Sequence, residues 1–136
     1  MAISGSLGTA AFNKKLRGFT KKFVPKHFEK QMHKITLELN TNIVTATPVL
    51  TGRARGNWYA SIGSPSGAIN DAARDPSGAM AIARMVPVVV SAKMGQTLWF
   101  ANNLPYIHKL EGGSSTQAPG GMFDVSVNAI RSKYGL

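Results

Sequence analysis

The sequence lacks cysteine entirely and has few acidic residues. The absence of cysteine excludes disulfide bridges, thiolate zinc sites and cysteine nucleophiles, and it is compatible with synthesis in a reducing cytoplasm. The six carboxylates are scattered, and only Asp71 and Asp75 lie close together. Both belong to or border a stretch rich in Gly, Ser, Pro and Ala, which is a poor support for an acid and a base at fixed separation.

Patterns typical of membrane, secreted and hydrolytic proteins are missing as well. No apolar run approaches the roughly 18 residues of a membrane helix. The first basic residues follow small polar ones, so we expect no secretory signal. The sequence contains neither a G-x-S-x-G elbow nor a phosphate loop with its lysine.

The three histidines do not form a metal-ligand pattern. His27 and His33 are six residues apart, so on a helix they lie on different faces. His108 and Glu111 are three apart and would share a face, but two ligands do not make a site. We therefore predict that the chain is not an enzyme and needs no cofactor or metal.

The positive charge is large and unevenly distributed. The chain has 16 basic and six acidic residues, a net charge of +10, and eight of the basic residues fall within the first 34 positions, against Glu29 alone. Such a block suits a phosphate backbone or an acidic protein surface, or it is the solvated face of a helix. The candidate contact residues for DNA or an acidic surface are Lys14, Lys15, Arg17, Lys21, Lys22 and Lys26.

Two helices are predicted in the first third of the chain. Apolar residues recur every three or four positions over residues 12–23, and again over residues 26–46, where the pattern is the strongest in the sequence. The Thr47-Pro48 pair predicts the end of the second helix. We expect a basic N-terminal segment at residues 1–24 and a single domain at residues 25–136.

The rest of the chain predicts short elements and long loops. Residues 57–63 and 97–102 read as strands, with Trp58 and Trp99 in the core. Residues 63–75 form a loop, and Asp75 caps a helix that starts at Pro76.

Some boundaries stay open from the sequence. Pro87 should stop or kink the helix that follows Asp75, and residues 88–92 either continue it or form a strand. Pro105 opens a short helix that Gly112-Gly113 ends. For residues 122–131 a helix is favoured over a strand. The expected fold class is α+β, with a long N-terminal helix, a small antiparallel or mixed sheet, further short helices, and long Gly/Ser/Pro loops.

Three segments together carry a resemblance to a known family. They are "TPVLTGRARGNWYASIG" at 47–63, "DPSGA" at 75–79 and "ANNLPYIHKLEGGSSTQAPGGM" at 101–122. In this order and spacing they resemble the neck or tail-completion (head–tail joining) proteins of long-tailed double-stranded DNA phages. The third segment is the most specific of them.

The resemblance implies a structural function in the virion, without catalytic residues. It implies a ring of copies, six-fold first and twelve-fold as the alternative, between the head connector and the tail-terminator or tail-tube proteins. It further implies that the long N-terminal helix packs on the small sheet, and that the protein is located in the neck or tail of a particle whose proteins are made in the host cytoplasm. The positive charge alone permits non-specific contact with packaged DNA, and we expect no membrane partner. The alternative function is a small basic nucleic-acid-binding protein that uses residues 14–34.

The loops supply the candidate interface. Arg53 and Arg55, flanked by glycines, can reach a partner carboxylate or a DNA phosphate, or Arg53 can pair with Glu111 inside the fold. Loops 63–75 and 112–121 are candidate contact surfaces or plain solvent loops. The candidate interface or bracing residues are Arg53, Arg55, Glu111, Ser114, Ser115, Gln117 and Pro119.

Overall fold

The computed structural model describes residues 13, 14, 17 and 24–136. Its elements are α1 (Val24–Ala46), α2 (Arg53–Gly56), β1 (Tyr59–Ile62), α3 (Ala79–Ser91), β2 (Leu98–Ala101), α4 (Ile107–Glu111) and α5 (Phe123–Tyr134). The predicted α+β class is confirmed. Asn13, Lys14 and Arg17 are helical and exposed, and the rest of the predicted helix over residues 12–23 lies outside the described residues. The boundary at residue 24 stays a prediction.

The long helix α1 confirms the prediction made from its apolar period. Its C-terminal half enters the core, where Ile43 and Val44 are buried. The helix ends as the sequence predicted: Thr47 donates its backbone N–H and its Oγ1 hydroxyl to the carbonyl of Ile43, at 3.1 and 2.7 Å. Pro48 follows directly and prevents a further turn.

The sheet consists of two antiparallel strands, with Tyr59 opposite Ala101 and Ile62 opposite Leu98. Trp58 is buried, stacks on Phe100 at 5.1 Å between ring centroids, and donates its indole N–H to the Thr47 hydroxyl at 2.9 Å. Trp99 is 41% exposed, so its predicted core position is wrong. Successive residues of a strand face opposite sides of the sheet. Phe100 packs against the core, so its neighbour Trp99 faces away from the core.

Helix α3 differs from its prediction at its start. It begins at Ala79 rather than Pro76, although Asp75 does accept the N–H groups of Met80 and Ala81, at 3.2 and 2.9 Å. Of the alternatives left open at Pro87, a stop and a following strand are excluded, because the helix continues to Ser91. Residues 88–91 are therefore helical.

Packing explains why α3 tolerates its proline. Ala81, Met85 and Val89 are buried on one face of the helix. Burying a Met or Val side chain contributes about 1.5–3 kcal/mol. Together these side chains offset the roughly 3 kcal/mol cost of an interior proline.

Helix α1 packs on α3 and α5, and α3 packs in turn on β1. Helix α5 confirms the helical alternative for residues 122–131, and the short helix after Pro105 is also confirmed. The buried cluster that joins the helices to the sheet consists of Ile43, Val44, Trp58, Ala81, Ile107 and Met122.

Candidate functional site

A groove of about 540 Å³ lies between three parts of the chain. Residues 48–54 form one side, Asp71 and Arg74 come from the loop after β1, and Tyr106, Leu110, Ser115 and Gln117 come from α4 and its flanks. We call it the arginine groove. Three residues that the sequence nominated, Arg53, Ser115 and Gln117, meet here.

Gln117 ties the loop after α4 to the segment after α1. Its side-chain amide donates to the Val49 carbonyl at 2.9 Å and accepts the Val49 N–H at 2.8 Å. The Ser115 hydroxyl accepts the backbone N–H of Gln117 at 3.2 Å, and its carbonyl accepts that of Ala118. Both side chains therefore stabilise the wall of the groove by hydrogen bonds to backbone groups of the same chain.

Arg53 lies on the wall of the groove and is incompletely paired. Its Nη2 makes an ion pair with Asp71, and its guanidinium carbon lies 5.5 Å from the centre of the Tyr106 ring. The Nε–H is buried and has no hydrogen-bond partner. The alternative pairing of Arg53 with Glu111 is not formed, because Glu111 is engaged at the start of α5.

Arg55 points into the protein. Its guanidinium donates to the carbonyls of Thr45, Thr47 and Pro76 at 2.7–2.8 Å. Two of these carbonyls belong to the end of α1, where the helix has no partner of its own for them. Arg55 thus joins the end of α1 to the chain that leads into α3, rather than reaching outward.

Glu111 caps α5 from across the intervening loop. Its carboxylate accepts the N–H groups of Met122, Phe123 and Asp124, at 2.8, 2.8 and 3.1 Å. Burial acts to raise the pKa of Glu111, but these three donors outweigh it and hold the pKa below its usual value. Gly121 is required beside it, because at φ +81° a Cβ there would stand 2.4 Å from the Glu111 carbonyl oxygen.

The other nominated loop residues lie at the surface. Ser114 and Pro119 are exposed, and the Ser114 N–H donates to the carbonyl of Lys109 at 3.1 Å. The carbonyl of Pro119 passes so close to Gly113 that a Cβ there would stand 2.4 Å from it. The loop is therefore compact rather than extended.

The basic candidates are placed in part. Lys14, Arg17 and Lys26 are exposed, whereas Lys15, Lys21 and Lys22 lie outside the described residues. Lys26, Lys30 and Lys34 are all exposed along α1. Because they are four residues apart, they form one basic stripe on a face of the helix.

Sequence reasoning missed several residues of the groove. Leu50 is 98% exposed at its rim, and Arg74 and Tyr106 also line it. Arg74 and Asp71 belong to loop 63–75, which the sequence offered as a contact surface or a solvent loop. That was the signal from which their place in the groove could have been predicted. Nothing in the sequence distinguishes the exposed Leu50 from a core leucine.

Two further properties hold for the part of the chain that the structure describes. It contains no cluster of three or more metal-ligating side chains, and none of its helices is long and apolar enough to cross a membrane. Comparisons of the chain with protein-family models, curated proteins and solved structures give no match.

Proposed function

We propose that the chain is a virion structural protein of the head–tail junction of a long-tailed double-stranded DNA phage. In this proposal it is a neck or tail-completion subunit that joins its neighbours by protein–protein contacts and performs no reaction. The observation that supports it is the convergence of three separated segments. Residues 47–63, 75–79 and 101–122, which carry the resemblance to that family, meet beside and around the arginine groove.

Direct hydrogen bonds connect these segments. The first contacts the second through the Asp75 N–H, which donates to the Gly52 carbonyl at 3.3 Å, and through Arg55 and Pro76. The first contacts the third through Gln117, and through the Asn102 amide, which donates to the Ala54 carbonyl at 2.9 Å. The three segments are therefore in direct contact, and residues of the first and third line the groove surface together.

The composition of that surface fits a protein contact. Arginine and tyrosine are enriched at protein interfaces, and they stand here beside the exposed side chain of Leu50. The partners in this proposal are copies of the chain in a ring, six-fold or twelve-fold. The head connector lies on one side of the ring and the tail-terminator or tail-tube protein on the other.

The test is the composition of the particle and the effect of deletion. Mass spectrometry of purified virions should find the chain, and an in-frame deletion should yield unjoined heads and tails, or tails of abnormal length. Supplying the wild-type chain in trans is the control and should restore joined particles. Absence of the chain from particles would refute the proposal.

A second candidate function rests on the basic stripe of Lys26, Lys30 and Lys34. Three exposed ammonium groups at helical spacing match the sequence-independent contacts that proteins make with phosphates. In this alternative the chain is a small basic nucleic-acid-binding protein. Its binding to DNA should depend on salt concentration and on these lysines, and this dependence distinguishes it from a protein that acts only by protein–protein contacts.

A further inference from the structure

Five of the six carboxylates of the chain have partners within it. These are Glu29 with the Met94 N–H, Glu38 with Lys133 and Tyr134, Asp71 with Arg53, Asp75 with the N–H groups of Met80 and Ala81, and Glu111 with those of residues 122–124. The sixth is Asp124, whose carboxylate makes no hydrogen bond or ion pair with the described residues. Among the described residues, it is the carboxylate with both oxygens unused by hydrogen bonds or ion pairs, and it is exposed.

The residues around Asp124 are apolar and exposed. Phe123 and Val125 are 50% and 51% exposed, so the first turn of α5 presents an acid between two large apolar side chains. We call residues 123–125 the α5 tip. About half of each side chain is open to solvent, and neighbouring exposed apolar side chains often mark contact sites.

The arginine groove has the opposite character. Arg53 and Arg74 bring two positive charges to it against the single charge of Asp71. Leu50 and Tyr106 add apolar surface. The groove therefore suits a carboxylate that is flanked by apolar side chains.

We propose that the α5 tip of one copy of this chain binds the arginine groove of the next copy. In this contact the Asp124 carboxylate forms an ion pair with Arg74, next to Arg53. Phe123 or Val125 packs on Leu50. A chain of net charge +10 repels its own copies over most of its surface, so association needs a local pair of opposite charges. The exposed carboxylate of Asp124 can supply the negative member of that pair.

The contact would join two different surfaces of identical chains. Each copy carries both a tip and a groove, so contacts of this kind repeat head to tail and close into a ring when the rotation allows. The inference rests on the proposed function for the role of that ring, but self-association is measurable without a phage.

Charge reversal on each side tests the contact. Arg74→Glu and Asp124→Lys each place like charges opposite each other, so each variant alone should associate at least about tenfold more weakly than the wild type. In an equimolar mixture, every reversed groove can meet a reversed tip and every native groove a native tip. The mixture should therefore recover an affinity within about threefold of the wild type, measured by sedimentation equilibrium and native mass spectrometry.

The matched control combines Lys93→Glu with Asp124→Lys in one chain. Lys93 is exposed and does not line the groove, so this chain has the net charge of an Arg74→Glu, Asp124→Lys double variant without the reversed groove. It should stay weakly associated, whereas the double variant at Arg74 and Asp124 should recover. Chains that carry Asp124→Lys should unfold roughly 1 kcal/mol more easily, because Asp124 lies in the first turn of α5, where a negative charge is favourable. The other variants should unfold in urea like the wild type, and a cooperative transition in every variant separates loss of contact from loss of fold.

Three results would overturn the inference: a wild-type chain that stays monomeric at the highest concentration, single variants that associate normally, or a mixture that stays apart. If the chain is found in virions while the variants assemble normally, this inference fails and the proposed function stands. If the charge reversals behave as expected but the chain is absent from particles, the proposed function fails alone.

Discussion

At the scale of single residues, polar side chains hold the groove by satisfying backbone groups far away in sequence. Glu111, Arg55 and Gln117 each bind two or three backbone groups that no helix or strand partner satisfies. Removing such a side chain leaves partly buried donors or acceptors without a partner, which costs about 1–3 kcal/mol for each group. These residues therefore matter more for stability than their partial exposure indicates.

Glu111→Gln should destabilise the fold by about 1–2 kcal/mol near neutral pH, because the neutral amide caps the start of α5 less well. The effect should depend on pH. The folded pKa of Glu111 is below its usual value, so the carboxylate stabilises the fold above the ordinary carboxyl pKa, and this stability is lost as the pH falls through the folded pKa. The free energies of unfolding of the wild type and of Glu111→Gln, measured in urea between pH 7 and pH 3, should converge in acid.

The control for this prediction is Glu29→Gln. The Glu29 carboxylate accepts one backbone N–H, from Met94, where Glu111 accepts three, so its loss should cost less. A constant difference between the wild type and Glu111→Gln across the whole pH range would show that the carboxylate charge does not stabilise α5.

At the scale of elements, the length of a pattern decided how well the sequence predicted the structure. Helix α1 was predicted nearly to its ends, because its apolar period runs over some twenty residues and Thr47-Pro48 terminates it. Helix α2 has only four residues, too few to show a period. The sequence neighbours of Pro87 alone predict that it interrupts helix α3. Burial of Met85 and Val89 outweighs this tendency, and that burial depends on contacts with residues distant in the sequence.

The groove was predicted only in its parts. The sequence nominated Arg53, Ser115 and Gln117 separately, but their meeting depends on contacts between residues up to 68 positions apart. No local pattern encodes such a separation. The exposure of Trp99 was missed for a related reason: a strand pattern does not say that only one face of a two-stranded sheet is covered.

Pro87→Ala should stabilise the protein by about 1–3 kcal/mol. Proline is roughly 3 kcal/mol less favourable than alanine inside a helix, and Pro87 is exposed, so little packing is lost. The new N–H can donate to the carbonyl four residues earlier, at Ala83. The change should appear as a higher midpoint in urea and in thermal unfolding.

Val90→Ala is the matched control for the proline substitution. It shortens another exposed side chain of α3 without adding a backbone donor, and it should change stability by less than about 1 kcal/mol. A Pro87→Ala chain no more stable than the wild type would mean that the helix already accommodates the ring without loss.

At the scale of the whole molecule, the charges divide into two groups by what the fold does with them. Most carboxylates are used inside the chain, as helix caps or ion pairs, so little negative charge is left at the surface. Several cations remain in solvent, and those of the basic stripe lie together on α1. The protein therefore presents a positive field, which its acidic partners or DNA would meet first.

The basic stripe gives the last prediction, which separates DNA binding from protein contact. Replacing Lys26, Lys30 and Lys34 together by Gln should weaken binding to random duplex DNA. If each lysine neutralises one phosphate, the slope of log affinity against log salt should become shallower by up to about 2.7.

The matched control replaces Lys93, Lys109 and Arg131 by Gln. These residues are exposed as well, so the control changes the net charge by the same amount. If both triple variants reduce the slope equally, net charge rather than the stripe governs DNA binding. If the stripe variant alone loses DNA binding yet still joins heads to tails, the stripe contacts DNA and is not needed for the junction.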